Sequence, residues 1–224
     1  MRRLKEISSY SIYNSNILRN SHCVNESVLK ENFLRIESII EKISAKNLLE
    51  HSEDDIFQEK ISRHEPLMIL DGKYLGIESN SIVAILGSGA LPITGLILAK
   101  NFSCHVICID MDNESLEISR KIVEKQGLIS HFSFINANVL DLDFIKCDFS
   151  HIVMVAFLKQ KDEIIDHIYK KGSNIKLLLR QPRGLYSCIY EVCNLCNFLD
   201  KYNILFEDAA FERDHYSSVI MEMR

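Results

Sequence analysis

The stretch that decides the fold is Ile82-Val-Ala-Ile-Leu-Gly-Ser-Gly-Ala-Leu-Pro-Ile-Thr94. Its first half is a continuous apolar run, which is typical of a buried strand, and the run ends at Gly87 and Gly89. A helix-like segment follows, and a second apolar run over residues 105–109 then stops at Asp110. A strand, a glycine turn, a helix, a strand and an acid, in this order, predict a nucleotide-binding βαβ unit.

Composition and charge narrow the class of protein. The chain has 224 residues, 47% of them hydrophobic and 25% charged, and a net charge of −5. An acidic balance without a basic tract gives a nucleic-acid partner no support, and no apolar run reaches the roughly 20 residues that span a membrane. The N-terminus lacks the apolar core of a signal peptide, and an odd number of cysteines, seven, fits reduced thiols. We expect a cytoplasmic protein with a small-molecule partner, no nucleic-acid or membrane partner, and no indicated oligomeric state.

Beyond residue 78 the sequence alternates predicted strands and helices. The predicted strands are 81–86, 105–109, 132–135, 151–157, 175–180, 205–211 and 217–223. The predicted helices are 92–101, 113–126, 161–170 and 185–202. Continuous apolar strands separated by helices predict a parallel sheet covered on both faces, and two closely joined last strands predict an antiparallel hairpin at one edge. This layout is that of the α/β, Rossmann-like fold of class I S-adenosylmethionine (SAM) methyltransferases.

Residues 1–78 are more polar and show helical spacing. Apolar residues that recur every three or four positions predict an amphipathic helix over 26–50. A second helix should end near Arg63, since Pro66 is expected to break the pattern. We therefore expect a small N-terminal helical cap over 1–78 and a SAM-binding domain over 79–224.

The predicted binding site lies at the carboxyl ends of the strands, where ligands bind in open parallel sheets. Asp110 would accept both ribose hydroxyls of an adenosine, and Met111 would lie against the adenine. Asn138 would pair with the adenine edge, while Ala156 and Phe157 would line the pocket near the sulfur. The candidate SAM-binding residues are Gly87, Ser88, Gly89, Pro92, Thr94, Asp110, Met111, Asn138, Val139, Ala156 and Phe157.

An NAD-type Rossmann domain is the alternative reading of the glycine turn. The third glycine of that fingerprint is missing, because Gly89 is followed by Ala-Leu-Pro, and its absence favours SAM. Asp110 could instead be a surface residue that binds no ligand. Cys193 and Cys196 form an isolated pair in a predicted helix over 187–202, which favours core packing over metal binding. No metal site is predicted.

The turn from Gly87 to Thr94, Gly-Ser-Gly-Ala-Leu-Pro-Ile-Thr, resembles the nicotianamine synthase family. That family includes the bacterial enzymes that build opine-type metallophores such as staphylopine. The resemblance covers about residues 79–224 and continues through Ile109–Asp112, 120–123, 177–180, Gly184 and 218–220. It implies that SAM is a substrate, whose 3-amino-3-carboxypropyl arm is transferred to an amino-acid amine with release of methylthioadenosine.

Three alternatives to this transfer stay open. The N-terminal part is short, and the family's acceptor residues cannot be carried over to it. Without an external acceptor, the amine of the arm would attack its own γ-carbon and cyclise SAM to azetidine-2-carboxylate. An ordinary small-molecule SAM methyltransferase and a non-catalytic SAM-binding protein are the other two.

Four residues are the candidate catalytic group. Tyr10 and Tyr13 lie in an aromatic, charge-poor segment that we expect to fold over SAM as a lid, where ring faces would stabilise the sulfonium; a frayed terminus is the alternative. Arg180 would bind a carboxylate bidentately, or else form a structural ion pair. Glu65 is the candidate base, and residues 215–217 lie in a late turn that would face the site.

Overall fold

The computed structural model of the protein describes residues 26–50, 55–143, 148–170, 175–207 and 216–224. The chain divides into two compact units, Met1–Arg35 and Ile36–Arg224. The sheet and the side-chain contacts of the site belong to the second unit.

The helices and strands alternate along the chain. The described helices are α1 (Glu26–Glu50), α2 (Asp55–Leu75), α3 (Ile93–Phe102), α4 (Asn113–Lys125) and α5 (Lys161–Lys170). The described strands are β1 (Ile82–Leu86), β2 (His105–Asp110), β3 (Phe132–Asn136), β4 (His151–Met154), β5 (Lys176–Pro182), β6 (Tyr202–Glu207) and β7 (Tyr216–Met223). Short 3-10 turns lie at Ile129–His131, Val139–Asp141, Gly184–Cys188 and Leu195–Phe198.

The described strands form one sheet in the order β3-β2-β1-β4-β5-β7-β6. The first five strands in this order are parallel, and β7 runs antiparallel between β5 and β6. The order of the strands reverses between β1 and β4, which opens a crevice at their carboxyl ends. The predicted α/β fold, a parallel sheet with a terminal antiparallel hairpin, is confirmed.

The core lies on both faces of this sheet. Residues 83–86 of β1 and all of β4 are buried, because helices cover the sheet from both sides. Helix α4 begins where the carboxylate of Asp112 accepts hydrogen bonds from the amides of Glu114 and Ser115. Within the described residues, no helix combines the length and apolarity that crossing a membrane requires.

The expected break at Pro66 is wrong, since α2 runs through this residue to Leu75. Proline removes one helical hydrogen bond, which by itself disfavours a helix interior. The residues that follow it, Leu67, Met68 and Leu75, are buried. The packing of this apolar face outweighs the local cost, so the helix continues.

The predicted helix over 185–202 is also wrong. The structure has 3-10 turns at Gly184–Cys188 and Leu195–Phe198 with irregular chain between them. The side chain of Gln181 donates to the carbonyl of Cys193 at 2.7 Å and accepts from its amide at 3.0 Å. The side chain of Gln181, in β5, therefore pairs with the backbone amide and carbonyl of Cys193, which a helix would pair with its own backbone. The predicted strand over 151–157 is shorter too, because β4 ends at Met154.

Candidate functional site

The glycine turn lies at the crevice where the strand order reverses. Gly87 and Gly89 have φ values of 77° and 67°, which residues other than glycine rarely adopt. A Cβ atom on Gly87 would lie 3.1 Å from Cγ2 of Val155, in the chain that leaves β4. The side chain of Val155, just after β4, therefore packs closely against the glycine turn.

Asp110 lies at the end of β2 and closes the glycine turn. Its Oδ2 accepts a hydrogen bond from the amide of Gly89 at 2.8 Å, and its Oδ1 accepts from the amide of Asp112 at 3.0 Å. Each carboxylate oxygen has a second lone pair, so the group can still accept hydroxyl donors. The structure brings Asp110 and the turn together, as predicted.

Glu41 of α1 reaches the same turn and was not predicted. Its Oε1 accepts a hydrogen bond from the amide of Leu91 at 2.8 Å. Burial raises the pKa of the Glu41 carboxyl, while the backbone amides of Leu91 and Ala90 act in the opposite direction. Lys42, beside it in α1, forms an ion pair with Asp112 at 2.6 Å. Helix α1 is thus attached to the turn and to the start of α4.

Exposed apolar side chains flank the crevice. Met111 after β2 is 76% exposed and Phe157 after β4 is 44% exposed, although both are large apolar residues. Such surface at the carboxyl edge of the sheet fits a planar ligand group. Asn138 is exposed, and its Oδ1 accepts from the amide of Leu140 at 3.1 Å, which starts a 3-10 turn.

The remaining predicted SAM-binding residues lie in the loops at the same edge. Pro92 immediately precedes α3 and Thr94 lies in its first turn. The buried members of the set are Ser88, Pro92, Val139 and Ala156. Around the turn the residues fit SAM in kind: glycines that allow close approach, an acid, and exposed apolar side chains.

Four aromatic rings form a second group at this edge, which we call the tyrosine cluster: Phe157, Tyr186, Tyr190 and Tyr216. Tyr216 begins β7 and pairs with Pro182 at the end of β5. The ring centroids of Phe157 and Tyr190 are 4.6 Å apart, and Tyr186 lies 5.7 Å from Tyr190 and from Tyr216. Of these rings, the sequence placed Phe157 at the site and Tyr216 in a late turn that faces it; the turn is wrong for Tyr216, because pairing with β5 makes it the first residue of β7.

Glu37, in α1, acts electrostatically on the tyrosine cluster. Burial raises the pKa of the Glu37 carboxyl, and Lys60 opposes this. Burial also raises the pKa values of Tyr190 and Tyr216, and the negative charge of Glu37 adds to both shifts. Arg63 acts on Tyr216 in the opposite direction. A carboxylate and a guanidinium therefore both lie within electrostatic reach of the rings.

The side chain of Arg180 forms an ion pair and a hydrogen bond within the protein. Its Nη2 lies 2.7 Å from Oδ2 of Asp71, and its Nη1 donates to the hydroxyl of Ser218 at 2.8 Å. The same hydroxyl donates to Asp71 at 3.0 Å. This network joins α2 to β5 and β7, so the structure gives Arg180 the ion pair that the sequence left open as an alternative.

Glu65 lies away from the glycine turn. Its Oε1 accepts from Asn101 at 3.2 Å, and Asn101 is in the last turn of α3, whereas the glycine turn precedes the first. The two form no common site. A cavity of about 110 Å³ is lined by Glu65, Ile61 and Lys100 at that far end.

Three predicted positions, Tyr10, Tyr13 and His215, are not among the described residues. In the described part of the chain, no group of three or more His, Cys, Asp or Glu side chains is arranged to hold a metal ion.

The fold and the site define a class, the SAM-dependent methyltransferase fold. The chain superposes with a TM-score of 0.52 on an RNA methyltransferase from Salinibacter ruber in complex with S-adenosyl-L-homocysteine, at 11% identity, over 70% of this chain and 90% of that one. It superposes with a TM-score of 0.74 on MtNAS in complex with MTA and tNA, at 16% identity, over 89% of this chain and 75% of that one. At these identities the likeness shows the fold.

The family follows from the sequence. A model of the nicotianamine synthase protein family matches residues 62–224, and the chain belongs to this family. An L-histidine 2-aminobutanoyltransferase of Pseudomonas aeruginosa is 32% identical over 111 residues, which are 49% of this chain and 42% of that protein. A relative of the same name from Yersinia pestis is 30% identical over 53% of this chain and 45% of its own length. The chain therefore matches less than half the length of these curated relatives.

Proposed function

We propose that the protein is a SAM-dependent transferase that moves the 3-amino-3-carboxypropyl arm of SAM to the amine of a small amino acid and releases methylthioadenosine. Membership of the nicotianamine synthase family supports this, as does the similarity to aminobutanoyltransferases. The observation that carries the proposal is the glycine turn at the point where the strand order reverses, with the amide of Gly89 bound to Asp110. The tyrosine cluster, on which the charge of Glu37 acts, supports it.

SAM would bind as a substrate at the glycine turn. In this proposal Asp110 accepts the ribose hydroxyls, Met111 covers the adenine, and Ala156 and Phe157 face the sulfur. The positive φ of Gly87 and Gly89 supports a close approach of the backbone to the nucleoside. Asn138 contributes its amide NH₂ to the adenine edge, since its oxygen is already bound to Leu140.

The reaction is a displacement at the γ-carbon of the arm. The acceptor nitrogen forms a bond to this carbon while the carbon–sulfur bond breaks, and the electron pair goes to the sulfur, which leaves as the neutral thioether methylthioadenosine. In-line approach at about 3 to 3.5 Å decides which carbon of the sulfonium reacts. The acceptor amine must lose one proton for each bond formed.

Glu37 is the carboxylate that we propose as the proton acceptor, in place of Glu65. Burial raises its pKa, which makes the carboxylate a better base. Its negative charge acts on Tyr190 and Tyr216, whereas Glu65 lies at the far end of α3. Arg63, whose charge acts on Tyr216, is the proposed partner for an acceptor carboxylate.

The acceptor that we propose is an amino acid with a planar side chain, with L-histidine as the first candidate. The similarity to an L-histidine 2-aminobutanoyltransferase supports histidine, and the tyrosine cluster offers ring faces that favour a flat or cationic group. The proposal also keeps the cap over 1–78, with Tyr10 and Tyr13 as a lid over the sulfonium. It keeps a cytoplasmic location as well, which the free thiols of the described residues support: Cys104, Cys108, Cys188, Cys193 and Cys196.

One incubation with SAM tests the proposed function. The full chain is incubated with SAM, with and without L-histidine, and the products are identified by mass spectrometry. Methylthioadenosine and a histidine adduct of the arm, formed only when histidine is present, support the proposal. Methylthioadenosine with azetidine-2-carboxylate and no acceptor would indicate cyclisation. S-adenosylhomocysteine would indicate methyl transfer, and unchanged SAM would contradict an enzyme acting on SAM with this acceptor.

A further inference from the structure

The backbone amides of the glycine turn are engaged by acceptors within the protein. The amides of Gly87 and Ser88 donate to the carbonyl of Ile109 at 2.9 Å and 3.2 Å. The amide of Gly89 donates to Asp110 at 2.8 Å, and that of Leu91 donates to Glu41 at 2.8 Å. A turn of this kind before a helix ordinarily presents such amides to an anionic group of the ligand.

Glu41 lies directly against this turn. A Cβ atom added to Gly89 would meet Oε1 of Glu41 and lie 3.0 Å from its Cδ. The carboxylate belongs to α1, which the ion pair of Lys42 with Asp112 attaches to the start of α4. The charged groups that act on it are Lys60, which favours its ionised form, and Asp110, which disfavours it. The protein thus supplies an anion of its own at the start of α3.

A second carboxylate at this place would be unfavourable. It would have to displace Glu41 from the amide of Leu91, or lie beside a negative charge in a partly desolvated site. The aminocarboxypropyl arm of SAM ends in a carboxylate. With this position taken, the arm has to extend from the sulfur in another direction, and the methyl group turns with it because both are bonded to the same sulfur.

We propose that Glu41 determines which carbon of SAM reacts, by excluding the carboxylate of the arm from the amides at the start of α3. The arm then extends across the crevice towards Glu37 and the tyrosine cluster, where an acceptor can reach its γ-carbon. The inference rests on the proposed function for the identity of the reaction, but the exclusion itself is a property of ligand binding. Glu41 is a specificity-determining residue in this scheme and takes no proton.

Two thioethers test the exclusion without the sulfonium charge. S-adenosylhomocysteine carries the arm, and methylthioadenosine has a methyl group in its place, so the ratio of their Kd values isolates the contribution of the arm. A third probe, the decarboxylated form of S-adenosylhomocysteine, keeps the ammonium and lacks the carboxylate. The three are titrated calorimetrically into the wild type, Glu41→Gln and Glu41→Ala, with Glu124→Gln, an exposed carboxylate on α4, as the control.

The expected result is a gain confined to the ligand with the carboxylate. Glu41→Ala should improve binding of S-adenosylhomocysteine relative to methylthioadenosine by about tenfold, the size of effect expected when one like-charge contact is removed. Glu41→Gln should give a smaller gain, since it keeps an acceptor for Leu91, and Glu124→Gln should change nothing. The decarboxylated probe should not gain in any variant.

Several outcomes would overturn the inference. An unchanged Kd ratio, or an equal loss for all three ligands, would make Glu41 a purely structural cap. Weaker binding of both ligands that carry the ammonium would make it an anchor for that group. If the wild type forms no methylthioadenosine from SAM, the proposed function fails, yet the Kd ratios still decide the role of Glu41. If the wild type does form methylthioadenosine, Glu41→Ala should transfer the methyl group to the acceptor amine more often and so yield a larger fraction of S-adenosylhomocysteine. An unchanged product ratio would count against the inference.

Discussion

At the scale of single residues, Gly89 combines a backbone requirement with a contact to the site. Its positive φ disfavours any side chain, and a Cβ atom would also meet Glu41. We expect Gly89→Ala to lose about 1 kcal/mol or more of unfolding free energy and to weaken SAM binding at least about tenfold. Gly127→Ala is the matched control, because Gly127 has a φ of 70° with nothing within 4 Å. Urea unfolding and calorimetry should show a stability loss in both and a binding loss in Gly89→Ala alone; a binding loss in both would assign the effect to backbone strain.

The proposed role of Glu37 as the proton acceptor predicts how the rate of arm transfer depends on pH. A carboxylate takes up a proton only when it is ionised, and burial places its pKa above the ordinary value. The rate of arm transfer should therefore be low at pH values below this raised pKa and should rise as the pH increases through it. Glu37→Gln should lower kcat by about 10² or more and remove this acidic limb, with KM for SAM little changed. Profiles of kcat against pH check this, with Glu124→Gln as the control. An acidic limb that persists in Glu37→Gln would assign the proton acceptor to another group.

What the sequence could predict at this scale depends on local pattern. Gly87, Gly89 and Asp110 stand at fixed offsets within one βαβ unit, so the order of strand and turn was enough to place them. Glu37 and Glu41 lie in a helix whose partners are far along the chain; Glu41 binds an amide 50 residues away. No short-range pattern marks such contacts. The side chain of Arg180 was placed at the right strand, but its partner Asp71 lies in a helix that Pro66 was expected to end.

At the scale of elements, the network of Asp71, Arg180 and Ser218 fastens α2 to β5 and β7. Asp71 is fully buried, and the side chain of Arg180 is 12% exposed. Removing one partner leaves a buried charge, so Asp71→Leu and Arg180→Met should each lose about 3 kcal/mol or more of unfolding free energy. The double variant should lose clearly less than the sum, because it removes both charges. Urea unfolding of the four proteins checks this, and additive losses would show that the pair does not act as a unit.

Lys161 joins three segments at the first turn of α5. It is fully buried, and its Nζ donates to the carbonyls of Ala156 at 2.8 Å, Glu191 at 2.9 Å and Arg180 at 3.3 Å. Burial lowers the pKa of this amine to about 8, although Glu191, Cys193 and Asp162 oppose the shift. The folded state therefore gives up a proton that the unfolded chain keeps up to about pH 10.4.

This difference in proton binding fixes the sign of a stability effect. Between about pH 8 and about pH 10.4 the unfolded state binds more protons, so the contribution of Lys161 to stability rises with pH, by at most about 1.4 kcal/mol per pH unit. The unfolding free energy of the wild type minus that of Lys161→Met should increase across this range. Lys159→Met, at an exposed position, should leave the pH dependence unchanged. A difference that is flat or falls with pH would show that the buried amine stays charged.

The segment after β5 shows why element prediction fails where tertiary contacts replace helical hydrogen bonds. Helical spacing of apolar residues predicted one helix over 185–202. In the structure Gln181 takes the backbone of Cys193, and the carboxylate of Glu191 accepts from the amides of Gln160 and Lys161 at 2.8 Å. Contacts with β5 and with the start of α5 determine the conformation of this segment. The sequence of the segment alone does not indicate these contacts. By contrast, α5 itself was predicted with the bounds that the structure shows.

At the scale of the whole molecule, the hydrophobic core crosses the predicted domain boundary at residue 78. Ala45 and Leu48 of α1 and Phe57, Met68 and Leu75 of α2 belong to the same buried cluster as residues of β1, α3 and β2. Their burial removes apolar surface from water on the face of the sheet that α1 and α2 cover. The boundary predicted from composition marks a change in polarity along the chain, and residues on both sides of it contribute to one core.

This continuity predicts how the chain responds to truncation. A fragment that begins at Ile36 keeps the whole compact unit Ile36–Arg224, and we expect it to unfold in a single cooperative transition. A fragment that begins at Ser79 loses Met68 and Leu75 from the core and leaves Arg180 without Asp71, so we expect it to be expanded and to show no cooperative unfolding. Circular dichroism during urea unfolding and near-ultraviolet spectra check both fragments. A fragment 79–224 that unfolds cooperatively and binds methylthioadenosine would instead establish it as an independent domain and make residues 1–78 a dispensable cap.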